Sequence, residues 1–328
     1  MLILNANEVH KSLPMPECIE AMKKAFGALS SGQVEMPLRT RVPLTEQDGI
    51  SLFMPSYLKS TEEAALAIKI VSVFNQNPSQ GLPLIHAAVV VLNPITGAID
   101  ALLEGAALTA IRTGAGSGAA TDLLARKDAK TIAILGAGVQ ARSQLQAVCS
   151  VRPIETVSVY TPKAEDIQAF IRDMSGQGSI PKDMRSCDSS AEAVRDADVI
   201  CAATTSSTPV FDDKDIKAGV HINGIGSYKP DVQEVPSATV ARAKVSVDSR
   251  QAALVESGDI AIPLKEGLVD SQDIEEIGEI VLEPSKGRQS ENEITFFKSV
   301  GVAIQDAVAG ELALKNARKL NLGTEVDW

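Results

Sequence analysis

A glycine turn between an apolar run and a helical pattern is the feature that most constrains the fold of this chain. Residues 131–149 read TIAILGAGVQARSQLQAVC. The run 132–135 is continuously apolar, as expected for a strand buried on both faces of a parallel sheet. Gly136 and Gly138 permit a tight turn and a close approach of the backbone to a pyrophosphate, whose charge would lie at the N-terminus of the following helix. The segment therefore predicts a dinucleotide-binding βα unit.

The turn also has the spacing of the dinucleotide-binding fingerprint. Ala141 stands at the third small position of the GxGxxG/A pattern, and Val139 and Gln140 open the predicted helix. A glycine turn that closes a plain βα unit without a ligand is the alternative. The strand and helix on either side of the turn favour the nucleotide site.

The end of the second predicted strand bears on the choice of nucleotide. In an NAD site this strand commonly ends in a carboxylate that binds the ribose 2′-hydroxyl. Here strand 156–160 is followed by Thr161 and Lys163, and the first carboxylate is Glu165. A hydroxyl and an ammonium favour a 2′-phosphate, so NADPH is the predicted cofactor, with NADH as an alternative. The competing interpretation is that Lys163 is a solvated residue in the first turn of the next helix.

From residue 130 onward, predicted strands alternate with predicted helices. This rhythm is typical of an α/β fold with a Rossmann-type, doubly wound parallel sheet. Strands are expected at 132–135, 156–160, 184–187, 199–203, 220–224 and 244–247. Thr204 and Gly226 each follow one of these strands, so both are expected at the carboxyl edge of the sheet, where dinucleotides bind.

Before residue 105 the pattern is that of an antiparallel sheet, followed by a helix of small residues at 106–125. Strands are expected at 39–44, 50–54, 65–74, 85–92 and 98–104. A last helix over 301–319 is expected to return to this N-terminal part, which has few helices to cover its sheet. The predicted domains are residues 1–120 with 301–328, an α+β domain, and residues 121–300, the dinucleotide-binding domain.

Composition argues against several classes of protein. The 328 residues carry a net charge of −11, so neither nucleic acid nor an anionic membrane is expected as a partner. With 45% hydrophobic residues the chain can bury a large core, yet no apolar stretch is long enough for a membrane span. Cys18, Cys149, Cys187 and Cys201 lack metal-binding or redox spacing. They are predicted to be buried core residues of a cytoplasmic protein, and no metal site is expected.

Three cations lie in apolar or small-residue surroundings: Arg39 in PLRTRVPL, Lys69 in LAIKIVSV and Arg112 in LTAIRTGAG. A buried cation needs a partner, and a guanidinium fork beside an ammonium would bind a carboxylate. The pattern is consistent with a small carboxylic acid substrate or with three separate structural ion pairs. His86 is a further candidate for the pocket, although a lone histidine in a strand is more often structural.

Several longer segments are similar to one known family. They are MPLRTRVP, the strand of Lys69, RTGAGSGAATDLLAR, LGAGVQA, HINGIGSYKPDVQEV and FKSVGVAIQDAVAG. Together they resemble the ornithine cyclodeaminase/mu-crystallin family over nearly the full length. The resemblance implies a homodimer whose N- and C-terminal segments form a substrate-binding and dimerisation domain. It also implies that Arg39, Lys69 and Arg112 bind the substrate carboxylate.

One position departs from the family. Cyclodeaminases and archaeal-type alanine dehydrogenases carry Asp two residues after HINGIG, where this chain has Tyr228. Their chemistry needs a base, whereas reduction of a preformed imine needs only a protonated C=N, a bound carboxylate and a hydride donor. We therefore predict NAD(P)H-dependent reduction of a cyclic imino acid. The expected reaction converts Δ1-pyrroline-2-carboxylate to L-proline, with Δ1-piperideine-2-carboxylate as a further substrate.

In this interpretation Lys69 supplies charge or a proton, and Tyr228 tunes the pocket. Asp231 and Glu234 are candidates to replace the missing carboxylate, with a structural role favoured for Glu234. Asp306 also matches the family pattern and is expected near the crevice. The alternatives are an ornithine cyclodeaminase, a related amino-acid dehydrogenase, and a mu-crystallin-like protein that binds NADPH with little turnover.

Overall fold

The computed structural model describes residues 1–60 and 64–328, and within them sixteen strands and eleven α-helices. The strands are β1 (Leu2–Leu4), β2 (Val34–Glu35), β3 (Thr40–Leu44), β4 (Gly49–Leu58), β5 (Ala65–Phe74), β6 (Ile85–Leu92), β7 (Ile99–Glu104), β8 (Thr131–Leu135), β9 (Thr156–Tyr160), β10 (Met184–Ser186), β11 (Val199–Ala202), β12 (His221–Gly224), β13 (Ala243–Val247), β14 (Glu275–Glu276), β15 (Ile294–Lys298) and β16 (Thr324–Glu325). The helices are α1 (Ala6–Ser12), α2 (Met15–Ser30), α3 (Gly105–Leu124), α4 (Val139–Val151), α5 (Ala164–Met174), α6 (Ser190–Val194), α7 (Ser237–Arg242), α8 (Arg250–Glu256), α9 (Gly258–Lys265), α10 (Ile277–Leu282) and α11 (Ala303–Leu320).

The chain forms two compact units. The first unit consists of Met1–Arg112 and Val302–Trp328, and the second unit consists of Thr113–Gly301. The second unit is therefore one continuous segment, whereas the first unit is assembled from both ends of the sequence.

The first unit is an α+β structure built on a mostly antiparallel sheet. Its strand order is β16-β1-β7-β6-β5-β4-β2, with β3 also paired to β4, and among the described strands of this sheet only β1 and β7 run parallel. Helix α11 packs on β4, β5 and β6 and against α1 and α2. On β5, Ala65, Ala67 and Lys69 are buried while the alternate residues are partly exposed, as the two-residue period of a strand requires. The predicted antiparallel sheet is confirmed.

Strand β4 runs past Pro55, although the sequence predicted a strand that ends at Met54. β5 pairs with β4 over its whole length, but on the other side β3 reaches only Phe53 and β2 starts at Tyr57. Among the described strands, none pairs with β4 at Pro55 on that side. A proline is tolerated there because its missing N–H leaves no ladder hydrogen bond unmade.

The second unit is a Rossmann-type α/β structure. Its sheet has the order β10-β9-β8-β11-β12-β15-β13-β14, and every pair is parallel. On β8, Ile132 and Ile134 enter one hydrophobic core while Ala133 and Leu135 enter another. Both faces of the sheet are therefore covered, which explains the continuously apolar run, and the predicted fold class is confirmed.

The sequence reasoning missed β15, which lies buried between β12 and β13. Placing no strand at 294–298 was wrong. The strand is short, follows the polar segment 288–293 and ends in a lysine, and the helix before it, α10, has only 6 residues, so the βα alternation is not evident in the sequence. Smaller differences are that β3 begins at Thr40, after Arg39, and that α11 begins at Ala303.

All four cysteines are free thiols and buried, as predicted. Within the described ranges, no helix combines the length and the apolar character that crossing a membrane requires.

Candidate active site

A cavity of about 760 Å³ opens at the carboxyl ends of β8, β9 and β11 in the second unit. These strands are neighbours in the sheet, with β9 on one side of β8 and β11 on the other. Such a switch point is where open parallel sheets bind nucleotides. The lining residues are Leu135, Gly136, Ala137, Gly138, Tyr160, Thr161, Pro162, Asp166, Ser190, Ala203, Thr204, Thr205, Ser206, Pro209 and Val210.

The glycine turn has the geometry that a pyrophosphate needs. Gly136 has φ +103°, and a Cβ there would lie 2.5 Å from the carbonyl oxygen of Ala203. Gly138 precedes α4, and a Cβ there would meet no atom within 4 Å, so its backbone borders open space. No side chain caps α4, which leaves the N–H groups of its first turn, at Val139 and Gln140, to bind an anion. The residues therefore fit a dinucleotide.

The small side chain of Ala141 is required for packing and not for the turn. Its side chain is fully buried in the core that covers one face of the sheet. The third small residue of the fingerprint thus allows α4 to pack closely on the sheet, as that position does in dinucleotide-binding folds.

The cavity wall at the end of β9 differs from the sequence prediction. Thr161 lines the cavity, but Lys163 is not among its described lining residues. Lys163 is an exposed residue at the position before α5. This position agrees closely with the competing interpretation that Lys163 is a solvated residue at the start of the helix. Asp166, in the first turn of α5, does line the cavity. Asp166 was not predicted because it lies beyond the end of β9, inside the next helix, and the NADPH preference stays a prediction.

The loops after β11 and β12 are held together by the buried carboxylate of Glu234. This carboxylate accepts hydrogen bonds from Thr204 N at 2.7 Å, from Thr204 Oγ1 at 2.6 Å and from Ser227 N at 2.8 Å. Burial raises the pKa of the Glu234 carboxyl. Gly226 packs so tightly that a Cβ would collide with the Thr204 carbonyl oxygen. These contacts favour the structural role for Glu234, while Asp231 is exposed.

In the first unit, two of the three predicted cations share one carboxylate. Lys69 Nζ lies 2.7 Å from Asp306 Oδ2, and Arg112 Nε lies 2.9 Å from Asp306 Oδ1. All three side chains are at most 4% exposed. The ion-pair alternative is therefore partly right, but a single carboxylate between two cations leaves one positive charge in excess. We call Lys69, Arg112 and Asp306 the cation cluster.

Burial and the neighbouring guanidinium affect the titration of Lys69. Burial and the charge of Arg112 lower the pKa of its ammonium, Asp306 raises it, and the net result is a pKa of about 8. The side chain thus stays mostly protonated at neutral pH but titrates close to it. A lysine in this state can serve both as a charge and as a proton donor.

Helix α11 supplies the anionic side of the cluster. Asp306 lies in its first turn, where the helix dipole favours a carboxylate. The preceding Gln305 accepts a hydrogen bond from Arg112 Nη1 at 3.0 Å and another from Val302 N at 3.0 Å. The sequence reasoning missed Gln305, and its place directly before Asp306 in the AIQDA segment was the available signal.

The remaining predicted site residues are less closely associated. Arg39 is half-buried just before β3, and its charge also lowers the pKa of Lys69, so it lies within electrostatic reach of the cluster. On β6, Val89 is the cross-strand partner of Lys69, and His86 stands three residues away on the opposite face of the sheet. Tyr228 follows β12 in the second unit and is 54% exposed. The roles of these three residues remain predictions.

The family model of the ornithine cyclodeaminase/mu-crystallin family matches residues 1–320. The chain belongs to this family. A Δ1-pyrroline-2-carboxylate reductase of Bacillus cereus is 39% identical over 330 residues, which cover 100% of both chains. The predicted family is thereby confirmed.

Solved structures of the family have the same fold. The Δ1-pyrroline-2-carboxylate reductase of Thermococcus litoralis, in complex with NADH and L-proline, matches with a TM-score of 0.93 and 44% identity, covering 99% of this chain and 100% of that one. An archaeal alanine dehydrogenase dimer with bound NAD matches with a TM-score of 0.91 and 31% identity, covering 100% of this chain and 99% of that one.

Proposed function

We propose that this family member is an NAD(P)H-dependent imino acid reductase that converts Δ1-pyrroline-2-carboxylate to L-proline. The observation that carries the proposal is the buried cation cluster, whose excess positive charge suits a small carboxylate. The reductases named above support the substrate, since they are 39% and 44% identical to this chain and one of them holds NADH and L-proline.

The second unit is proposed as the nucleotide-binding domain, corresponding to the predicted residues 121–300. Its contact residues would be Gly136, Gly138, Val139, Gln140, Thr161, Lys163, Thr204 and Gly226, whereas Ala141 would act by letting α4 pack closely on the sheet. NADPH remains the proposed preference on the strength of Thr161 and Lys163, and Asp166 at the cavity wall acts against it by repelling a 2′-phosphate. A bound reduced nicotinamide supplies the hydride that the imine carbon receives.

The first unit, corresponding to the predicted residues 1–120 with 301–328, is proposed to bind the imino acid. Arg112 and Arg39 would hold the carboxylate. Lys69, with its pKa of about 8, contributes positive charge and a proton that keeps the imine nitrogen protonated while its carbon is reduced. Asp306 holds Lys69 and Arg112 in place. His86 lies on the sheet face opposite Lys69, so the predicted contact of His86 with the same substrate is not retained.

Tyr228 distinguishes this proposal from a cyclodeaminase. Oxidation of an amine requires a base at this position of the family, and a phenol is a poor base at neutral pH. The nearby Glu234 carboxylate is already occupied by three donors. Reduction of a preformed imine needs no such base.

A homodimer is proposed through the face of the first-unit sheet that lies opposite α11. Leu66, Ile68 and Ile70 of β5 alternate with the buried residues and are only partly buried. A row of apolar side chains on an open sheet face favours a second layer of protein. The archaeal alanine dehydrogenase relative is a dimer. We also propose a cytoplasmic location, because four free, buried thiols suit a reducing compartment.

The test is a comparison of two reactions with the purified protein. We expect NADPH or NADH to be consumed in a one-to-one ratio with Δ1-pyrroline-2-carboxylate, and L-proline to be formed. Δ1-piperideine-2-carboxylate is assayed in parallel to define the ring size. The second reaction contains L-ornithine and catalytic NAD.

Ammonia and proline formed from ornithine would replace the proposal with a cyclodeaminase. Nucleotide binding without oxidation across a panel of cyclic and linear imino acids would instead indicate a mu-crystallin-like binding protein.

A further inference from the structure

A buried ion pair in the second unit lies outside all the residues discussed as ligands. Lys298, the last residue of β15, is fully buried, and its Nζ lies 2.8 Å from Asp259 Oδ2. Asp259 is also fully buried, in the first turn of α9. Two apolar side chains of similar size would often stabilise a core equally well. The retention of two charges at this position therefore requires an explanation in terms of what the pair holds.

The pair is bonded to the loop that follows β12. Lys298 Nζ donates to Ser227 Oγ at 3.1 Å, and Ser227 Oγ donates to Asp259 Oδ2 at 2.7 Å. The other carboxylate oxygen, Asp259 Oδ1, accepts from Glu234 N at 2.6 Å. The ion pair thus fixes Ser227, which directly precedes Tyr228, and the backbone of Glu234.

Through Glu234 the network reaches the wall of the cavity. The Glu234 carboxylate binds the backbone and hydroxyl of Thr204 and the backbone of Ser227. Thr204 lines the 760 Å³ cavity. Five side chains therefore connect the end of β15 to the loops after β11 and β12, and both loops lie at the carboxyl edge of the sheet.

The positive charge of Lys298 affects the ionisation of Glu234. Two carboxylates, Asp259 and Glu234, are buried close together. Burial raises the pKa of Glu234 and the charge of Asp259 adds to the effect, whereas Lys298 lowers that pKa. An ionised Glu234 binds its three donors more strongly than a protonated carboxyl would, because protonation replaces one acceptor site with an O–H donor and removes the charge. Lys298 therefore favours the state of Glu234 that holds both loops.

We propose that Lys298 is a positioning residue for the nicotinamide nucleotide, acting through Asp259, Ser227 and Glu234 on the cavity wall at Thr204. The inference rests on the proposed function only in assigning this cavity to a nucleotide. It predicts that loss of the ion pair impairs nucleotide binding beyond its effect on folding.

The experiment measures the Kd of NADH by fluorescence titration, with thermal unfolding of each variant in parallel. Lys298→Met removes the charge. Ser227→Ala keeps the ion pair and its contact with Glu234 N, and removes only the hydrogen bonds of Ser227 Oγ. Lys244→Met is the matched control, because Lys244 lies on the neighbouring strand β13 and pairs with Glu275 at 3.3 Å, away from the cavity loops.

We expect Lys298→Met to raise the Kd of NADH about ten-fold or more, since small displacements of a binding wall have large effects. Ser227→Ala should raise it in the same direction by a smaller factor, and Lys244→Met should leave it unchanged. The KM for the imino acid, measured at saturating NADH, should stay near the wild-type value in Lys244→Met.

A purely structural role would lower the unfolding temperature of Lys298→Met without changing the Kd, and that result overturns the inference. So does an equal rise in Kd for Lys244→Met. If Lys298→Met does not fold, Ser227→Ala decides: a raised Kd supports the inference and an unchanged Kd overturns it. The experiment measures nucleotide binding and not catalysis. If wild-type protein binds NADH but reduces no imino acid, the proposed function is rejected, and the comparison of Kd values still tests the role of Lys298.

Discussion

The Asp306 carboxylate lies 2.7 Å from the Lys69 ammonium, with both side chains almost completely buried. This contact joins the N-terminal sheet to helix α11 within the first unit. The pKa of Lys69 is lowered to about 8, and Asp306 opposes this shift. The carboxylate thereby favours the charged form of Lys69 at neutral pH. The activity of the protein should therefore depend on pH in a way that can be traced to this pair.

We expect kcat/KM for the imino acid to be constant at neutral pH and to fall as pH rises above about 8, because Lys69 then loses its proton. Asp306 raises the pKa of Lys69, so Asp306→Asn should move this decline to lower pH. The measurement is a pH profile of kcat/KM for wild type and variant. Asp100→Asn, on β7 of the same unit, is the control and should leave the profile in place. A decline that does not move in Asp306→Asn would belong to the substrate and not to Lys69.

Arg112→Lys should weaken substrate binding. A lysine cannot reproduce the fork that binds Asp306 through Nε and Gln305 through Nη1. We expect kcat/KM to fall by a factor that corresponds to about 1–3 kcal/mol. The loss should be seen mainly as a higher KM for the imino acid, with the Kd of NADH unchanged. An unaltered catalytic efficiency would remove Arg112 from the substrate site.

The nucleotide preference can be assigned to individual charges at the end of β9. Asp166 lines the cavity, so Asp166→Asn should raise the affinity for NADPH relative to NADH by about five-fold, corresponding to about 1 kcal/mol. Lys163→Asp should lower that ratio if Lys163 reaches the 2′-phosphate. The measurement is the ratio of the Kd of NADH to the Kd of NADPH.

Glu165→Gln is the matched control, since Glu165 is exposed and is not among the described lining residues. A ratio that is unchanged in Lys163→Asp would reject the predicted contact with the 2′-phosphate. A ratio that is unchanged in Asp166→Asn would show that the nucleotide does not approach this carboxylate.

The two glycines of the turn should respond differently to the same substitution. Gly136→Ala should destabilise the fold, because its φ of +103° is strained for alanine and the new Cβ would lie 2.5 Å from a carbonyl oxygen. Gly138→Ala should leave the unfolding temperature near that of wild type and still weaken NADH binding, because its Cβ would project into the open space beside the helix terminus. Thermal unfolding and NADH titration of both variants test this pair. Normal NADH affinity in Gly138→Ala would argue against a pyrophosphate at the turn.

Local patterns predicted the elements best where each residue had one clear environment. The bounds of β5, β6 and β9 agree with the sequence prediction, because apolar alternation and turn residues mark them at both ends. Strand β15 was missed because it is short and because the helix before it, α10, has only 6 residues. Pro55 hid the second half of β4, since its tolerance depends on which neighbouring strands stop beside it.

Individual residues of the site could be predicted from the sequence, but the contacts between them could not. Lys69 and Arg112 were conspicuous as cations in apolar segments, but nothing in their spacing indicates that they share Asp306, which is 194 positions from Arg112. The pair of Lys298 and Asp259 was not anticipated for the same reason, since each residue is unremarkable in its own segment. Contacts of this kind depend on tertiary packing, which the periodicity of a local segment does not indicate.

The division of the first unit between the two ends of the chain has a consequence for biosynthesis. On the ribosome, Lys69 and Arg112 are made long before Asp306 and Gln305 emerge, with the whole of Thr113–Gly301 translated in between. Until then, the nascent N-terminal sheet lacks both the helix that covers it and the carboxylate that compensates its buried cations, and a buried charge without its partner is strongly destabilising. The continuous second unit is free to fold first. Maturation of the substrate pocket should therefore be among the last events of synthesis.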